Sequence, residues 1–124
     1  MGNFQELKVW QRAKDLAVYI YKMTDSRVFS KNYGLCDQMQ RAGVSIVSNI
    51  AEVDDLGTDK QSIKHFYIAK GSCAEVLTQA IIAYEVQYAD ETDFEYTQEY
   101  TQNECQGILG MLTKLIQVRS GSSK

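Results

Sequence analysis

The chain has 124 residues and a mass of 14.1 kDa, enough for one domain that buries about two-thirds of its unfolded surface without metal or disulfide staples. Apolar residues make up 44% and charged residues 23%, which excludes both a disordered tail and a membrane-embedded chain. A net charge of −3 argues against a protein that works by bulk attraction to nucleic acid or anionic lipid. The absence of proline favours long helices over a loop-rich or all-β fold.

Four helical stretches follow in chain order. The first runs from about Gln5 to Thr24, with Trp10, Ala13, Leu16, Ala17, Ile20 and Tyr21 on one stripe at spacings of three and four. A polar break from Asp25 to Asn32 suits a turn. The second stretch, about Asn32 to Val53, carries Leu35, Met39, Ala42, Ile46, Asn49 and Val53 in an alternating four-three spacing. That is a bundle seam with one polar member. Asp54 to Gly57 breaks it, and Thr58 is positioned as the next N-cap.

The third stretch, about Thr58 to Ala89, carries two apolar stripes. Ile63, Phe66, Cys73, Leu77, Ala80 and Tyr84 form one; Tyr67, Ala74, Ile81 and Tyr88, each seven residues apart, form the other. A helix with two apolar stripes touches neighbours on two sides, either within one bundle or in another subunit. Gly71-Ser72 falls mid-helix, where glycine costs about 1 kcal/mol against alanine; close helix approach or a mild kink would account for it. A turn near Asp90 leads to the fourth stretch, about Asp93 to Val118, whose core stripe is Cys105, Ile108, Leu109, Leu112, Leu115 and Ile116. Short connections make sequential helices antiparallel, so the expected fold is all-α, an up-down-up-down four-helix bundle over residues 1–119 with a frayed polar tail at 120–124. No leader is read at the N-terminus and no apolar run approaches the ~18 residues of a membrane span, so a cytoplasmic location is expected.

Chemistry is sparsely encoded. Cys36, Cys73 and Cys105 form no C-x-x-C pair and read as small buried hydrophobes. A di-iron bundle needs paired Glu-x-x-His motifs, whereas His65 is the lone histidine and Ser62 stands three before it. His65 reads as a partly exposed structural histidine, with a ligand or acid–base role as the alternative. Neither a nucleophile elbow nor a phosphate loop occurs. No enzyme activity, cofactor, metal or small-molecule substrate is expected.

Charge is uneven. Met1 to Lys70 holds ten basic and eight acidic residues, Gly71 to Lys124 three and eight. The seven acids between Glu85 and Glu104 suit a solvated helix start, or else an acidic patch for a basic partner. Lys8 with Arg12 and Lys60 with Lys64 are each four apart and share helix faces. With Arg41 they are either ordinary solvated residues or contacts to nucleic-acid phosphates. In the second stretch Gln38, Arg41, Ser45, Ser48, Asn49 and Glu52 are helically spaced beside the seam. Arg41, Asn49 and Glu52 are candidates for holding the bundle or its assembly, because a seam asparagine fixes register or oligomer state. Satisfying orphan groups at a neighbouring helix end is a further role open to Asn49 and Glu52.

Tyr33-Gly34-Leu35-x-x-Gln38-x-x-Arg41-Ala42-x-x-Ser45-Ile46-x-Ser48-Asn49-Ile50-Ala51-Glu52 resembles the hallmark of a bacterial four-helix-bundle family encoded within intervening sequences of 23S ribosomal RNA genes. Phe4-x-Glu6-Leu7-x-Val9-Trp10-x-x-Ala13-x-x-Leu16 is similar to its first-helix signature. Phe66-x-Ile68-Ala69-x-Gly71-Ser72-x-x-Glu75-Val76-x-Thr78-Gln79 is similar to its third. The three blocks lie in order over residues 4 to 79, and the fourth helix adds almost nothing. The resemblance implies a homopentameric ring. It also implies kinship with the accessory variability determinant of diversity-generating retroelements, which associates with a reverse transcriptase and nucleic acid. Ser30 and Val47 stand where the family usually has proline, and Val53, Asp54 and Asp55 where it has glycine and then basic residues. The acidic pair opposes nucleic-acid contact at that point. The expected function is therefore a non-enzymatic oligomeric module serving a protein or RNA partner, with Tyr67, Ala74, Ile81 and Tyr88 as subunit contacts. The alternative is direct nucleic-acid binding through Lys8, Arg12, Arg41, Lys60 and Lys64.

Overall fold

The structure is a computed structural model that describes residues 7–25, 32–53, 59–87 and 92–121. Four helices account for nearly all of these: α1 (Lys8–Thr24), α2 (Tyr33–Val53), α3 (Asp59–Gln87) and α4 (Thr92–Ser120). α1 packs on α2, α2 on α3, α3 on α4 and α4 back on α1, while neither diagonal pair brings its backbones together. That cycle is the up-down four-helix bundle its short connections dictate. The expected Thr58 cap lies outside the described residues.

Helix ends follow from the available caps. Leu7, an extended residue (φ −71°, ψ 129°) with no side-chain cap, precedes α1. The helix thus opens at Lys8 rather than near Gln5. Asn32 caps α2, its Oδ1 accepting from Leu35 N–H at 3.4 Å and its carbonyl from Cys36 N–H at 3.0 Å. α4 runs through Ser120 and ends at Gly121 with φ 77°, so Ser120 belongs to the helix and not to the tail.

The core is the expected stripes closed on one another, Leu16 and Ile20, Met39 and Ile46, Phe66 and Cys73, Ile108 and Leu112, joined by Ile50 beside the α2 seam and by Val76, which is fully buried where the stripe predicts Leu77, itself only partly buried. Two further details differ. Tyr21 is exposed and Val9 is buried, because the buried face of α1 continues through Ile20 to Thr24, and Tyr21 is turned 100° away from Ile20. Asn49 sits half-buried at the edge of the seam, which itself passes through Ile46, Ile50 and Val53. At Gly43 α1 comes so close to α2 that a Cβ would stand 2.9 Å from Ile20 Cδ1. Gly71 is different: α3 continues through it unbroken, and among the described residues nothing beyond its own helix backbone and chain neighbours lies within 4 Å of where its Cβ would be. Close approach inside the bundle therefore does not account for that glycine.

Candidate functional site: the polar seam between α2 and α3

The antiparallel pairing of α2 and α3 brings two polar heptad series face to face. On α2 these are Gln38, Ser45 and Glu52; on α3 they are Gln79, Ser72 and His65. In the middle rung Ser72 Oγ donates to Ser45 Oγ at 2.8 Å. At one end His65 Nδ1 lies 3.2 Å from Glu52 Oε2 and 2.8 Å from Asn49 Oδ1. Asn49 spans the two rungs, since its Nδ2 donates to the Ser45 carbonyl at 2.8 Å and to Ser45 Oγ at 3.2 Å. The carbonyl contact fixes which end of the amide is nitrogen, so Asn49 Oδ1 faces the imidazole. With two oxygen acceptors against it, Nδ1 carries the ring hydrogen and Nε2 is left as the basic nitrogen.

Glu52 is mostly exposed and His65 is one-quarter exposed, so this end of the seam is a wet network. Asn49 and Glu52 thus hold a side chain on α3 rather than orphan backbone groups at a helix end. Toward the other end the seam opens into a shallow groove of about 380 Å³ whose lining includes Gln38, Gly71, Ala74, Thr78, Gln79 and Ile82. A smaller hollow of about 280 Å³, reaching Arg41 and Ser45, shares Gln38 and Glu75 with it. Gln79 is only 8% exposed, and its Oε1 is without a hydrogen-bond partner. Unmet buried acceptors of that kind are uncommon in a finished interior.

Beside the groove the outer face of α3 sets exposed apolar side chains among the exposed Lys64, Glu75, Thr78 and Glu85. Tyr67 is 56% exposed, Ile82 48% and Val86 73%, Ala74 is exposed and Ile81 half-buried. Tyr88 lies outside the described residues. Of the second stripe of α3, the bundle leaves Tyr67 and Ala74 exposed and Ile81 half-buried.

The basic candidates are scattered. Arg12 is spent on Glu104 across α1 and α4, with Nε 2.7 Å from Oε1, and that hydrogen bond pushes the guanidinium further up from its ordinary value. Arg41 pairs with Asp37 one turn earlier on its own helix at 3.0 Å. Lys60 and Lys64 are exposed on the first turns of α3, Lys8 on the first turn of α1, and those two helices are diagonal in the bundle. The structure brings Asn49 and Glu52 together with His65, read from the sequence as a partly exposed structural histidine, and leaves Arg41 on the solvent side of the same helix. Among the described residues no group of three or more His, Cys, Asp or Glu side chains is placed to hold a metal ion, and no helix is long and apolar enough to cross a membrane.

In comparisons with known proteins, residues 5–114 match the family described as 23S rRNA-intervening sequence protein. No curated protein matches the chain.

Proposed function

From the premise that the chain belongs to the 23S rRNA-intervening sequence protein family, we propose that it acts as a non-enzymatic assembly module. Several copies associate with the α2/α3 side of each set against a different face of the next, as a closed ring requires, and the assembly presents its remaining surface to a protein or RNA partner. A ring of five is the form the family resemblance implies. Service to a reverse transcriptase is the form the retroelement kinship implies.

The observation that carries the reading is the bare stripe of α3 beside an open groove. Tyr67, Ile82 and Val86 lie about half or more exposed, next to a glycine with empty space above it. Large apolar side chains left exposed along one helix, with Ile82 and Val86 one turn apart, favour an interaction site. Small residues at Gly71, Ala74 and Thr78 let a second helix approach closely.

Light scattering coupled to size exclusion at moderate salt tests it. The expected mass is about 70 kDa, five times 14.1 kDa, falling to that of one chain on Tyr67→Glu with Ile82→Glu. A clean monomer for the unmodified protein would sink the proposal. Direct nucleic-acid binding has less behind it, because Arg12 is committed to Glu104 and Lys8 stands on a helix diagonal to the one that carries Lys60 and Lys64. It predicts affinity that falls steeply with salt.

A further inference from the structure

We propose that the groove between the start of α1 and the end of α4 docks an acidic amphipathic helix of a protein partner. This edge of the bundle is the one opposite the α2/α3 side in the four-helix cycle.

The groove has a volume of about 300 Å³, with Leu7, Val9, Met111, Leu115 and Val118 among its lining residues. Leu7 is 40% and Val118 58% exposed, so its apolar walls are open to water. Met111, Leu115 and Val118 follow one another at spacings of four and three along α4, a stripe about 10 Å long. Two turns of a partner helix match that length, and a helix seated in a groove presents apolar anchors at just such spacings.

The rim supplies the sign of the partner. Lys8 and Lys114 stand on the two walls, and among the described residues neither ammonium is paired with a carboxylate. No acid occurs at positions 7–9 or 111–118. An incoming helix with glutamate or aspartate flanking its apolar stripe meets two unpaired cations, and a helix with basic flanks meets repulsion. Nucleic acid fits poorly, since the lining has no aromatic ring to stack on a base and only two cations for phosphates.

The test uses the full chain and two fluorescein-labelled 14-residue peptides. Both carry leucine at i, i+3, i+4 and i+7; one has glutamate on its flanks, the other lysine. Anisotropy measures affinity, and the ¹³C-methyl signal of Met111 locates the contact, with Met39, buried in the core, as the internal control. We expect saturable binding of the glutamate peptide, about tenfold tighter than the lysine peptide, with Met111 shifting and Met39 still. Lys8→Glu with Lys114→Glu should reverse the preference, which also shows that the variant has kept its fold. Equal affinity of the two peptides, an unmoved Met111, or an unreversed preference would overturn the proposal. So would a Met111 shift that depends only on protein concentration, which assigns the groove to a second copy. Binding to phosphatidylglycerol vesicles without binding to the glutamate peptide would overturn it in favour of a lipid surface.

Discussion

Asn49 Oδ1 accepts the ring hydrogen of His65 at 2.8 Å, while its Nδ2 is tied to the Ser45 carbonyl. One side chain on α2 thereby orients an imidazole on α3 and is itself oriented by its own helix. Replacing it with leucine removes the acceptor, leaves His65 Nδ1–H to Glu52 and water, and puts an alkyl group in a polar seam. Asn49→Leu should lower unfolding stability by about 1–2 kcal/mol, read from urea denaturation. Asn49→Asp, which keeps the acceptor but sets a carboxylate against a carbonyl, should fall between the two. A leucine variant as stable as the parent would mean that the network contributes nothing.

The guanidinium of Arg12 occupies the space where a Cβ on Gly107 would stand. Gly107→Ala therefore trades a helix-propensity gain of about 1 kcal/mol against loss of the Arg12–Glu104 pair, a half-exposed bridge worth about 0.2–1 kcal/mol. The single substitution should leave stability between that of the parent and about 0.8 kcal/mol above it. In an Arg12→Ala background the clash is gone, and the same change should stabilise by about 1 kcal/mol. Gly110, one turn on and with nothing within 4 Å, serves as the control and should gain about 1 kcal/mol in either background.

Periodicity carried most of the fold, because apolar stripes at three-four spacing leave few ways for four short-looped helices to close. Tyr21 escaped it, since an aromatic one position past the buried face still scores as apolar. The polar seam was half legible. Gln38, Ser45 and Glu52 were visible as a strip, but His65, Ser72 and Gln79 carry the same seven-residue interval on α3 and were read separately. Pairing the two series needed the antiparallel register, which no single-helix pattern contains. The basic residues illustrate the opposite limit. Lys8 with Arg12 and Lys60 with Lys64 are true helix-face pairs, yet the bundle sets them on diagonal helices, and a partner for Arg12 ninety-two residues away leaves no local trace.

All three cysteines are buried. Burial pushes the Cys36 thiol up from its ordinary value of 9.0. A hydrogen bond with Cys73, followed by burial, pushes Cys105 above the usual thiol range. A thiol whose pKa is raised by folding stays protonated in the native chain while the unfolded chain ionises. Its contribution is complete below pH 9 and lost as pH climbs toward the folded value. Stability should fall above pH 9 by about 1.4 kcal/mol per pH unit for such a thiol, and Cys36→Ala should remove that share of the slope. An alkaline limb identical in both proteins would assign it to lysines and tyrosines instead. The same burial predicts that a thiol-specific reagent labels the native chain only through opening, and all three positions at once in urea.

Gly71 separates the stability of one bundle from the assembly of several. Inside the chain its missing Cβ meets nothing, and glycine in the middle of a helix costs about 1 kcal/mol against alanine. The bundle alone would therefore be better served by alanine or a larger residue. Gly71→Ala should raise the stability of monomeric chain by about 1 kcal/mol, measured in the Tyr67→Glu, Ile82→Glu background. Gly71→Leu should be tolerated by the bundle for the same reason, since its side chain points into open space. In the unmodified background a leucine at the edge of the groove would block close approach of a neighbouring helix. The expected result is thus a protein with helical content like the parent's and a mass reduced to that of one chain. If Gly71→Leu left a large assembly intact, copies do not meet at this groove, and the bare stripe of α3 would need another occupant.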